Sequence, residues 1–530
     1  MDINRYLINF NTKEALQEET EVLVFGNGVS ALYAALVIAE KKKVILLTNG
    51  RSLQSVLSVY AEESFDIDKQ DVDTCVKDID FKDTLYGGRG LTDEQSIVSF
   101  MDNVDSNRER LQKMLNVPDF TGGRDKYFGE QESETAIYYE WVKSGMKQKL
   151  AALVENNANI KVINDYFATD MITNDNKCCG LVTKSINSDT IKIFKFQYLL
   201  LAQEGHRGIY DSEGVEGSRG ESAAMYLRAG GELADMEFVH FWSLVVENEK
   251  RERIIVPYRF LQIGPIMRNS EGERFLEKYE DLAEMAPGNQ IGRAIFKECQ
   301  SLKTNKVYLD ITFKDRAYLE RTYKALYSKC LKIGIDISKE FMPISPMVGY
   351  CIGGIKTEAN GKTKFANVYA CGETACNFFF GARLTRRNIV SNSIVFTGIA
   401  ADEIAKAEKI DNIDVPDVKC DMARGIPCKD AVIETGLRAI HEANNNGAGI
   451  VKNQKSLYDA LRVVMKVKEQ TSGCENKTID SLVLQNELLI SEVMIMSSIE
   501  RRESRGSHYR TDYADVNNQK WRRHIIRRIF

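Results

Sequence analysis

Three observations predict an α/β fold with a parallel sheet, a later α+β insertion and a helical C-terminal part. An apolar run at 22–25, a glycine turn, an alanine-rich run and a second apolar run at 44–48 form a strand–turn–helix–strand pattern. Residues 245–345 mix short strands, charged helices and loops, and 367–373 then return to a buried-strand pattern. From about 420 onward the apolar residues follow a helical period.

The predicted domain bounds follow these changes of pattern. Residues 1–240 and 349–415 form a Rossmann-like domain, 241–348 an inserted α+β domain, and 416–530 a helical domain. A chain of 530 residues is long enough for this arrangement.

The glycine turn after the first strand predicts a dinucleotide site. Gly26 permits a sharp turn, Gly28 permits close approach of a pyrophosphate, and Ala31 permits close packing of helix on strand. The first helical residues, Val29 and Ser30, offer free N–H groups and the positive end of the helix dipole. The alternative is an ordinary βαβ unit with no ligand.

The end of the second strand indicates which dinucleotide is bound. The NAD form of this pattern places an acidic residue there to hold the ribose, but the chain has Thr48, Asn49 and Gly50. The residues therefore disfavour NAD and leave FAD open.

Composition limits the class of protein. The net charge of −5 indicates no general attraction to nucleic acid or to anionic membranes. No apolar run approaches the roughly 20 residues that a membrane-spanning helix needs, so we expect no transmembrane segment. The N-terminus does not resemble a signal peptide, and eleven scattered cysteines predict reduced thiols in the cytoplasm, without a metal or iron–sulfur site in this chain.

Helices and strands are predicted from apolar spacing. The predicted helices are 95–115, 134–156, 222–230, 391–407, 453–469 and 476–501, and the further strands are 161–164, 179–185 and 192–202. The polar segment that begins after Ala202 indicates a second cofactor-contacting loop, and helix 391–407 is expected to point its N-terminus at the cofactor. Helix 476–501 is predicted to have one apolar face, at Leu482, Leu484, Leu488 and Val493.

Motifs along nearly the whole chain carry a family resemblance. They lie at 26–28, 83–94, 228–230, 235–239, 272–275, 293–295, 307–310, 353–355, 369–373, 391–393 and 501–509. In this order they resemble the flavoprotein subunits of succinate dehydrogenase and fumarate reductase, and L-aspartate oxidase. The resemblance implies bound FAD, a capping domain inserted in the FAD domain, a C-terminal helical domain, and hydride transfer between flavin N5 and a substrate carbon.

The resemblance also supplies expected site residues. The predicted cofactor contacts are Gly26, Gly28, Val29, Ser30, Ala31, Thr48, Asn49, Ala202, Glu373, Ser391, Asn392 and Ser393. Arg293 matches the arginine that serves this family as proton donor or acceptor, which requires a dry site because the free pKa of arginine is far above neutrality. The alternative for Arg293 is a helix-surface ion pair.

The chain departs from the family around the flavin. Members with covalent FAD have a histidine where this chain has Leu57, and no histidine precedes His206. Glu63 and Ser64 replace two loop glycines near the flavin, so the loop backbone cannot follow the same path. We therefore expect noncovalent FAD.

The substrate pocket departs further. The two dicarboxylate-binding histidines of the family align with Trp242 and Gly349, which removes charge-assisted hydrogen bonds of about 1.5–3 kcal/mol each. Trp242 offers a flat apolar wall, which indicates a larger or less charged substrate than plain succinate, fumarate or aspartate. His240, two residues before Trp242, is left open as pointing elsewhere, because strand neighbours alternate faces.

One carboxylate-binding arginine is expected among Arg383, Arg386 and Arg387, without a choice between them. The predicted catalytic set is Arg293, Arg386, Arg387, Trp242 and His240.

Three functions stay open at this point. The first is an FAD-dependent oxidoreductase acting on a small organic substrate. The second is an electron-transfer flavoprotein subunit with a separate iron–sulfur or ferredoxin-like partner, docked on the arginines between 501 and 528. The third is a degenerate, non-catalytic paralogue in which Trp242 only fills space. A homo-oligomer is compatible with all three.

Overall fold

The computed structural model of the chain describes residues 4–51, 53, 82, 84–116, 145–210, 218–250, 252–256, 258–384, 389–410, 414–421 and 426–529. Its strands are β1 (Phe10–Asn11), β2 (Leu16–Phe25), β3 (Val44–Leu47), β4 (Ile160–Ile163), β5 (Tyr166–Asn174), β6 (Lys177–Ser185), β7 (Ile191–Leu201), β8 (Leu233–Ala234), β9 (Val239–Glu247), β10 (Arg253–Ile255), β11 (Ile266–Arg268), β12 (Val307–Asp310), β13 (Met342–Cys351), β14 (Gly354–Lys356), β15 (Val368–Ala370), β16 (Ala375–Cys376), β17 (Lys419–Cys420) and β18 (Ile526–Arg527).

The helices are numbered separately, in chain order. They are α1 (Val29–Ala39), α2 (Glu94–Leu115), α3 (Met146–Glu155), α4 (Glu221–Arg228), α5 (Gly288–Leu302), α6 (Arg316–Thr322), α7 (Lys324–Lys332), α8 (Ile389–Lys406), α9 (Asp430–Gly447), α10 (Gln454–Thr471), α11 (Ile479–Glu500) and α12 (Asn518–Trp521).

A seven-stranded sheet in the described residues carries the first part of the chain. Its order is β4-β3-β2-β7-β6-β5, and β15 pairs with the end of β7. Strands β4, β3, β2, β7 and β15 are parallel, and β5 and β6 form an antiparallel hairpin that continues the sheet. The ends of β2, β3 and β7 are fully apolar because helices cover both faces of a parallel sheet.

Helix α1 lies on this sheet and packs against α8. From Ala31 to Ala39 every residue of α1 is buried, so the helix is apolar all round rather than amphipathic. Its short alanine side chains permit the close approach. The strand–turn–helix–strand prediction at residues 22–48 therefore matches β2, α1 and β3.

A five-stranded antiparallel sheet, β10-β9-β13-β12-β11, follows in the described chain, with α5 packed on β9. It has its own apolar cluster, which includes Phe260, Ile295, Leu309 and Ile344. Strands β9 and β13 connect this sheet to the rest of the chain at Val239 and Cys351. In a smaller sheet of order β16-β14-β8-β18, the C-terminal strand β18 pairs with β8, and β16 forms the other edge.

The C-terminal helices α9, α10 and α11 pack on one another, and α11 also packs on α4. The predicted apolar face of the last long helix, at Leu482, Leu484, Leu488 and Val493, is buried. Burial extends beyond that face nearly all round α11, because α4 and the other two helices cover it. Among the described residues, α11 is the one helix whose length and composition would suit a membrane span, and most of its apolar stretch is buried inside the protein, as in a core helix.

The basic end of the chain also differs from its prediction. Arg501, Arg505 and Arg510 are buried, whereas the arginines between 501 and 528 were expected to form a docking face. Arg501 Nε donates to Glu237 at 2.6 Å, and Arg505 Nε donates to Glu503 at 2.7 Å. These arginines hold the C-terminal segment in the interior, since a buried charge must be paired.

The other predicted elements agree with the structure to within a few residues, except that residues 134–144 of one predicted helix lie outside the described chain. The α/β fold class with its helical C-terminal part is confirmed. The domain bounds stay a prediction.

Candidate active site

The turn between β2 and α1 is built around two glycines with different roles. Gly26 has φ 150°, and a Cβ atom there would lie 2.4 Å from the Ala202 carbonyl oxygen at the end of β7. Gly28 is extended, and the nearest atom to a Cβ there would be 3.9 Å away on Glu204. Gly26 is therefore required by the protein's own packing, whereas the space beside Gly28, at the N-terminus of α1, is open to a ligand.

The end of β3 presents polar atoms that the protein does not satisfy. Thr48 and Asn49 are both buried, yet Thr48 Oγ1 and Asn49 Nδ2 have no hydrogen-bond partner among the described residues. Asn49 has φ 57°, and its Oδ1 accepts from the Ala168 N–H at 2.7 Å, which fixes the direction of its Nδ2.

Glu373 lies in the loop after β15, and one of its two carboxylate oxygens has a hydrogen-bond partner. Its Oε1 accepts from the Cys351 N–H at 2.9 Å and lies 3.3 Å from Nε of Arg207. Its Oε2 is buried without a partner in the described chain. Burial raises the pKa of Glu373, and the Arg207 guanidinium opposes that shift.

The first turns of α8 add two more such atoms. Ser391 and Asn392 are buried, and Ser391 Oγ and Asn392 Nδ2 lack partners among the described residues. Buried polar atoms nearly always have partners, so this set fits a polar ligand along the carboxyl ends of β2, β3 and β15. That is the arrangement that FAD requires, and the residues present fit it.

The remaining predicted cofactor residues are placed around this set. Val29 and Ser30 form the first turn of α1 and are half-buried, and a Cβ at Gly372 would lie 2.8 Å from Ser30 Oγ. Ala31 and Ala202 are buried in the helix–sheet core, and Ser393 is half-buried on α8.

Aromatic side chains form the neighbouring part of the site. Trp242 on β9 is 2% exposed and belongs to one cluster with Tyr350, Phe379 and Phe380. Tyr350, Phe379 and Phe380 also line a cleft that reaches Gly372 and Asn392. The aromatic side therefore adjoins the polar side.

His240 contacts Trp242 edge to face, with the ring centroids 4.8 Å apart. The alternative that His240 points away from Trp242 is wrong, because residues two apart in a strand share a face.

Gly349 explains how the indole fits. It lies in a bulge of β13, between Val348 opposite Phe241 and Tyr350 opposite His240. A Cβ at Gly349 would lie 2.5 Å from Trp242 Nε1, a distance that no side chain tolerates. The indole therefore occupies the space that a side chain at 349 would need.

Arg293 lies on α5 where the inserted sheet meets the C-terminal segment. Its guanidinium carbon is 4.3 Å from the centre of the Tyr509 ring. Among the described residues it forms no ion pair, which disfavours the helix-surface ion pair left open above, and burial lowers its pKa. The neighbouring Gly292 lies against Ser243 of β9 and Ile450.

Several predicted residues cannot be placed. Arg386 and Arg387 lie outside the described residues, as do Leu57, Glu63 and Ser64. Arg383 is described and half-buried in the turn that follows Phe380.

Comparison with known families agrees with this geometry. Residues 21–386 match a family model described as an FAD binding domain, and residues 438–528 match the fumarate reductase flavoprotein C-terminal region. The chain belongs to the succinate dehydrogenase, fumarate reductase and L-aspartate oxidase flavoprotein family. The family prediction and the FAD prediction are confirmed, and this flavoprotein is an FAD-dependent oxidoreductase.

Relatives of known name cover nearly the whole flavoprotein. L-aspartate oxidase of Vibrio cholerae is 26% identical, over 94% of this chain and 96% of that protein. A protein named as one subunit of the fumarate reductase (CoM/CoB) of Methanothermobacter marburgensis is 27% identical, over 96% and 97% respectively. A mutant FrdA chain of E. coli quinol fumarate reductase has a TM-score of 0.78 at 19% identity, over 96% of this chain and 94% of that one, which shows a shared fold.

Two contacts of the site were not predicted. Tyr509 was assigned to a C-terminal motif, and nothing in the sequence connects it with Arg293. Arg207 stands in the polar segment after Ala202, where it is buried and bridges Glu204 and Glu373, each at 3.3 Å. The signal that could have indicated this role is the position of Arg207 in a glycine-containing polar segment directly after a buried strand.

Proposed function

We propose that this flavoprotein catalyses hydride transfer between FAD and a carbon of a small organic acid, with Arg293 as the group that carries the proton. The observation that supports this most is the state of Arg293, a half-buried guanidinium stacked on Tyr509 without a carboxylate partner in the described chain. Arginines in protein interiors normally pair with a carboxylate, so an unneutralised one is available to an anionic substrate.

Burial also brings Arg293 closer to the proton chemistry proposed for it. A free guanidinium holds its proton too tightly to act as an acid or base at neutral pH. The pKa of Arg293 is lowered by burial, while Tyr509 and Glu280 raise it only through weaker electrostatic interactions. Proton transfer by a positioned side chain contributes about 10²–10⁴ in rate.

FAD would be held by the polar side of the site. The N-terminus of α1 beside Gly28 would face the pyrophosphate, and Thr48, Asn49, Glu373, Ser391 and Asn392 would satisfy their unpaired atoms on the cofactor. When bound, FAD supplies a hydride acceptor or donor at N5. We propose noncovalent binding, since the histidine position of covalent members is Leu57.

The substrate that we propose is not plain succinate, fumarate or aspartate. The names of the relatives make L-aspartate and fumarate the competing candidates. The proposal is supported by the packing of the Trp242 indole on Gly349, the two positions that the family resemblance aligns with carboxylate-binding imidazoles. A carboxylate brought against an apolar wall would lose its hydration without a charged partner.

A second function has one observation in its favour. The name of the Methanothermobacter relative describes it as part of a larger enzyme, which supports a separate electron-transfer partner such as an iron–sulfur protein. The docking surface first considered for it is reduced, because Arg501, Arg505 and Arg510 are buried and paired. Exposed arginines remain at 502, 522, 523 and 528.

The test begins with an absorbance spectrum of the purified protein before and after acid precipitation. We expect a flavin spectrum that leaves with the supernatant. Organic acids are then screened for those that bleach the oxidised flavin or restore the reduced one. For the acid that does so, Arg293→Lys should lower kcat by about 100-fold or more, since lysine does not replace a stacked guanidinium.

Lys297→Met is the matched control, because Lys297 lies on the same helix with its Nζ 6.0 Å from the Tyr509 ring. It should leave kcat within about twofold, as expected for a side chain outside the chemistry. An unchanged kcat for Arg293→Lys would contradict the role of Arg293. Flavin that stays in the precipitate would contradict noncovalent binding.

A further inference from the structure

Two cysteines that are far apart in the sequence meet beside the C-terminal helices. Cys428 stands two residues before the start of α9, and Cys474 stands three residues after the end of α10. The two thiols lie close enough for a side-chain hydrogen bond between them. Since α9 and α10 pack on each other, the fold itself brings this pair together.

The backbone holds the two segments at this point. Gly473 turns the chain back after α10 with φ 78°, in the left-handed region that favours glycine. Glu475 then donates its N–H to the Ile426 carbonyl oxygen at 3.2 Å, and it forms a parallel β-bridge with Pro427. Main-chain contacts therefore join residues that flank one cysteine to residues that flank the other.

Solvent reaches the pair. Both cysteines are half-buried, and Ile426 and Lys429 beside them are exposed. On its inner side, Cys428 packs against a buried apolar cluster. Burial and the adjacent Cys474 thiol raise the pKa of Cys428 to about 11, so Cys428 is protonated at neutral pH. This favours Cys474 as the thiol that reacts with an oxidant and Cys428 as the thiol that resolves the product.

We propose that Cys428 and Cys474 are a site of reversible oxidation, at which a disulfide bond joins the start of α9 to the end of α10. Where thiols are otherwise kept reduced, such bonds are typically transient and respond to an oxidant. The site is independent of the substrate and of the proposed function.

The oxidant that we name is a peroxide. The Cys474 sulfur attacks one oxygen of hydrogen peroxide, the O–O bond breaks, and hydroxide leaves with the thiol proton as water. The Cys428 sulfur then attacks the sulfenic acid, the S–O bond breaks, and a second water leaves as the S–S bond forms. Together the two thiols lose two electrons, which the peroxide gains, and a dithiol reverses the step.

The test uses the full-length flavoprotein, first reduced and then freed of reductant. It is treated with hydrogen peroxide, its remaining thiols are alkylated, and its peptides are mapped by mass spectrometry without reduction. We expect a peptide pair that joins Cys428 to Cys474 and is about 2 Da lighter than the two reduced peptides together. Dithiothreitol added to the folded protein before alkylation should remove this pair.

Variants assign the cross-link to these two thiols. Cys428→Ser should abolish it and let Cys474 proceed to sulfinic acid, because no second thiol resolves the sulfenic acid. Cys420→Ser is the matched control, since Cys420 on β17 is also half-buried. It should leave the cross-link unchanged.

Three results would overturn the inference. In the first, peroxide-treated wild type carries sulfinic acid or no modification at Cys474 while Cys428 is still alkylated. In the second, Cys474 is joined to a different cysteine. In the third, the cross-link persists after dithiothreitol treatment of the folded protein, which would make it a permanent bond.

Discussion

The two sides of the site are built from different kinds of side chain. On the cofactor side, Thr48, Asn49, Glu373, Ser391 and Asn392 each bury a polar atom without a partner in the described chain. On the aromatic side, Trp242, Tyr350, Phe379 and Phe380 belong to one apolar cluster. An unpaired buried polar atom costs about 1–3 kcal/mol, so the first side is completed by a ligand, whereas ring packing fills much of the second.

The cofactor side presents the donors and the open helix N-terminus that FAD needs. On the aromatic side, our proposal is that shape replaces charged hydrogen-bonding groups and that substrate selectivity changes with it. Substitutions on the two sides should therefore affect different properties of the protein.

The largest effect is expected at the β2–α1 turn. Gly26→Ala would place a Cβ 2.4 Å from the Ala202 carbonyl oxygen at a positive φ, and should destabilise the apoprotein by about 3 kcal/mol with loss of bound flavin. Thermal unfolding of the apoprotein and its flavin content measure this.

Gly28→Ala is the control for that turn, because a Cβ there meets nothing of the protein closer than 3.9 Å. It should leave apoprotein stability within about 0.5 kcal/mol but weaken FAD binding at least about tenfold. Equal flavin binding in Gly28→Ala would place the pyrophosphate somewhere other than the start of α1.

The buried amine of Lys452 tests whether every buried polar atom that lacks a protein partner belongs to a ligand-binding site. Lys452 is 1% exposed, its Nζ has no partner in the described residues, and burial lowers its pKa to about 7. Glu237, Arg510 and His508 are its charged or titratable neighbours. The unfolded chain keeps this proton up to about pH 10.5, so above pH 7 the unfolded state binds more protons and stability rises with pH.

Lys452→Met removes that titration. The stability of the wild type relative to the variant should rise by about 1.4 kcal/mol per pH unit between about pH 7 and pH 9. Denaturant unfolding at several pH values provides the comparison. Parallel pH profiles for the two proteins would mean that the amine is satisfied by a bound group, as on the cofactor side.

The last comparison concerns the aromatic side. Gly349→Ala overpacks the site against Trp242 and should cost about 1–3 kcal/mol. Combining it with Trp242→Phe should cost less than the sum of the two single changes, because the smaller ring leaves room for the new methyl group. Additive losses in unfolding free energy would show that the indole does not press on Gly349.

Local patterns predicted the parts of the molecule that depend on near neighbours. The β2–α1–β3 unit was visible because Val22 to Phe25, Gly26 and the alanine-rich helix lie within thirty consecutive positions. The all-round burial of α11 was not visible, because the apolar residues that cover it belong to other helices. The burial of Arg501 was missed because its partner Glu237 is 264 residues away, and a segment of mixed charge indicates a solvated surface unless a distant partner is known.

The amino-acid sequence was sufficient for the family and the cofactor, since these depend on which residue types stand at motif positions; the loss of the two imidazoles stays a prediction. It was not sufficient for the contact of Arg293 with Tyr509 or for the fit of Trp242 over Gly349. Both depend on packing between segments that are distant along the chain, and the physical reason is that close-packed interiors admit a side chain only where the opposing one leaves space.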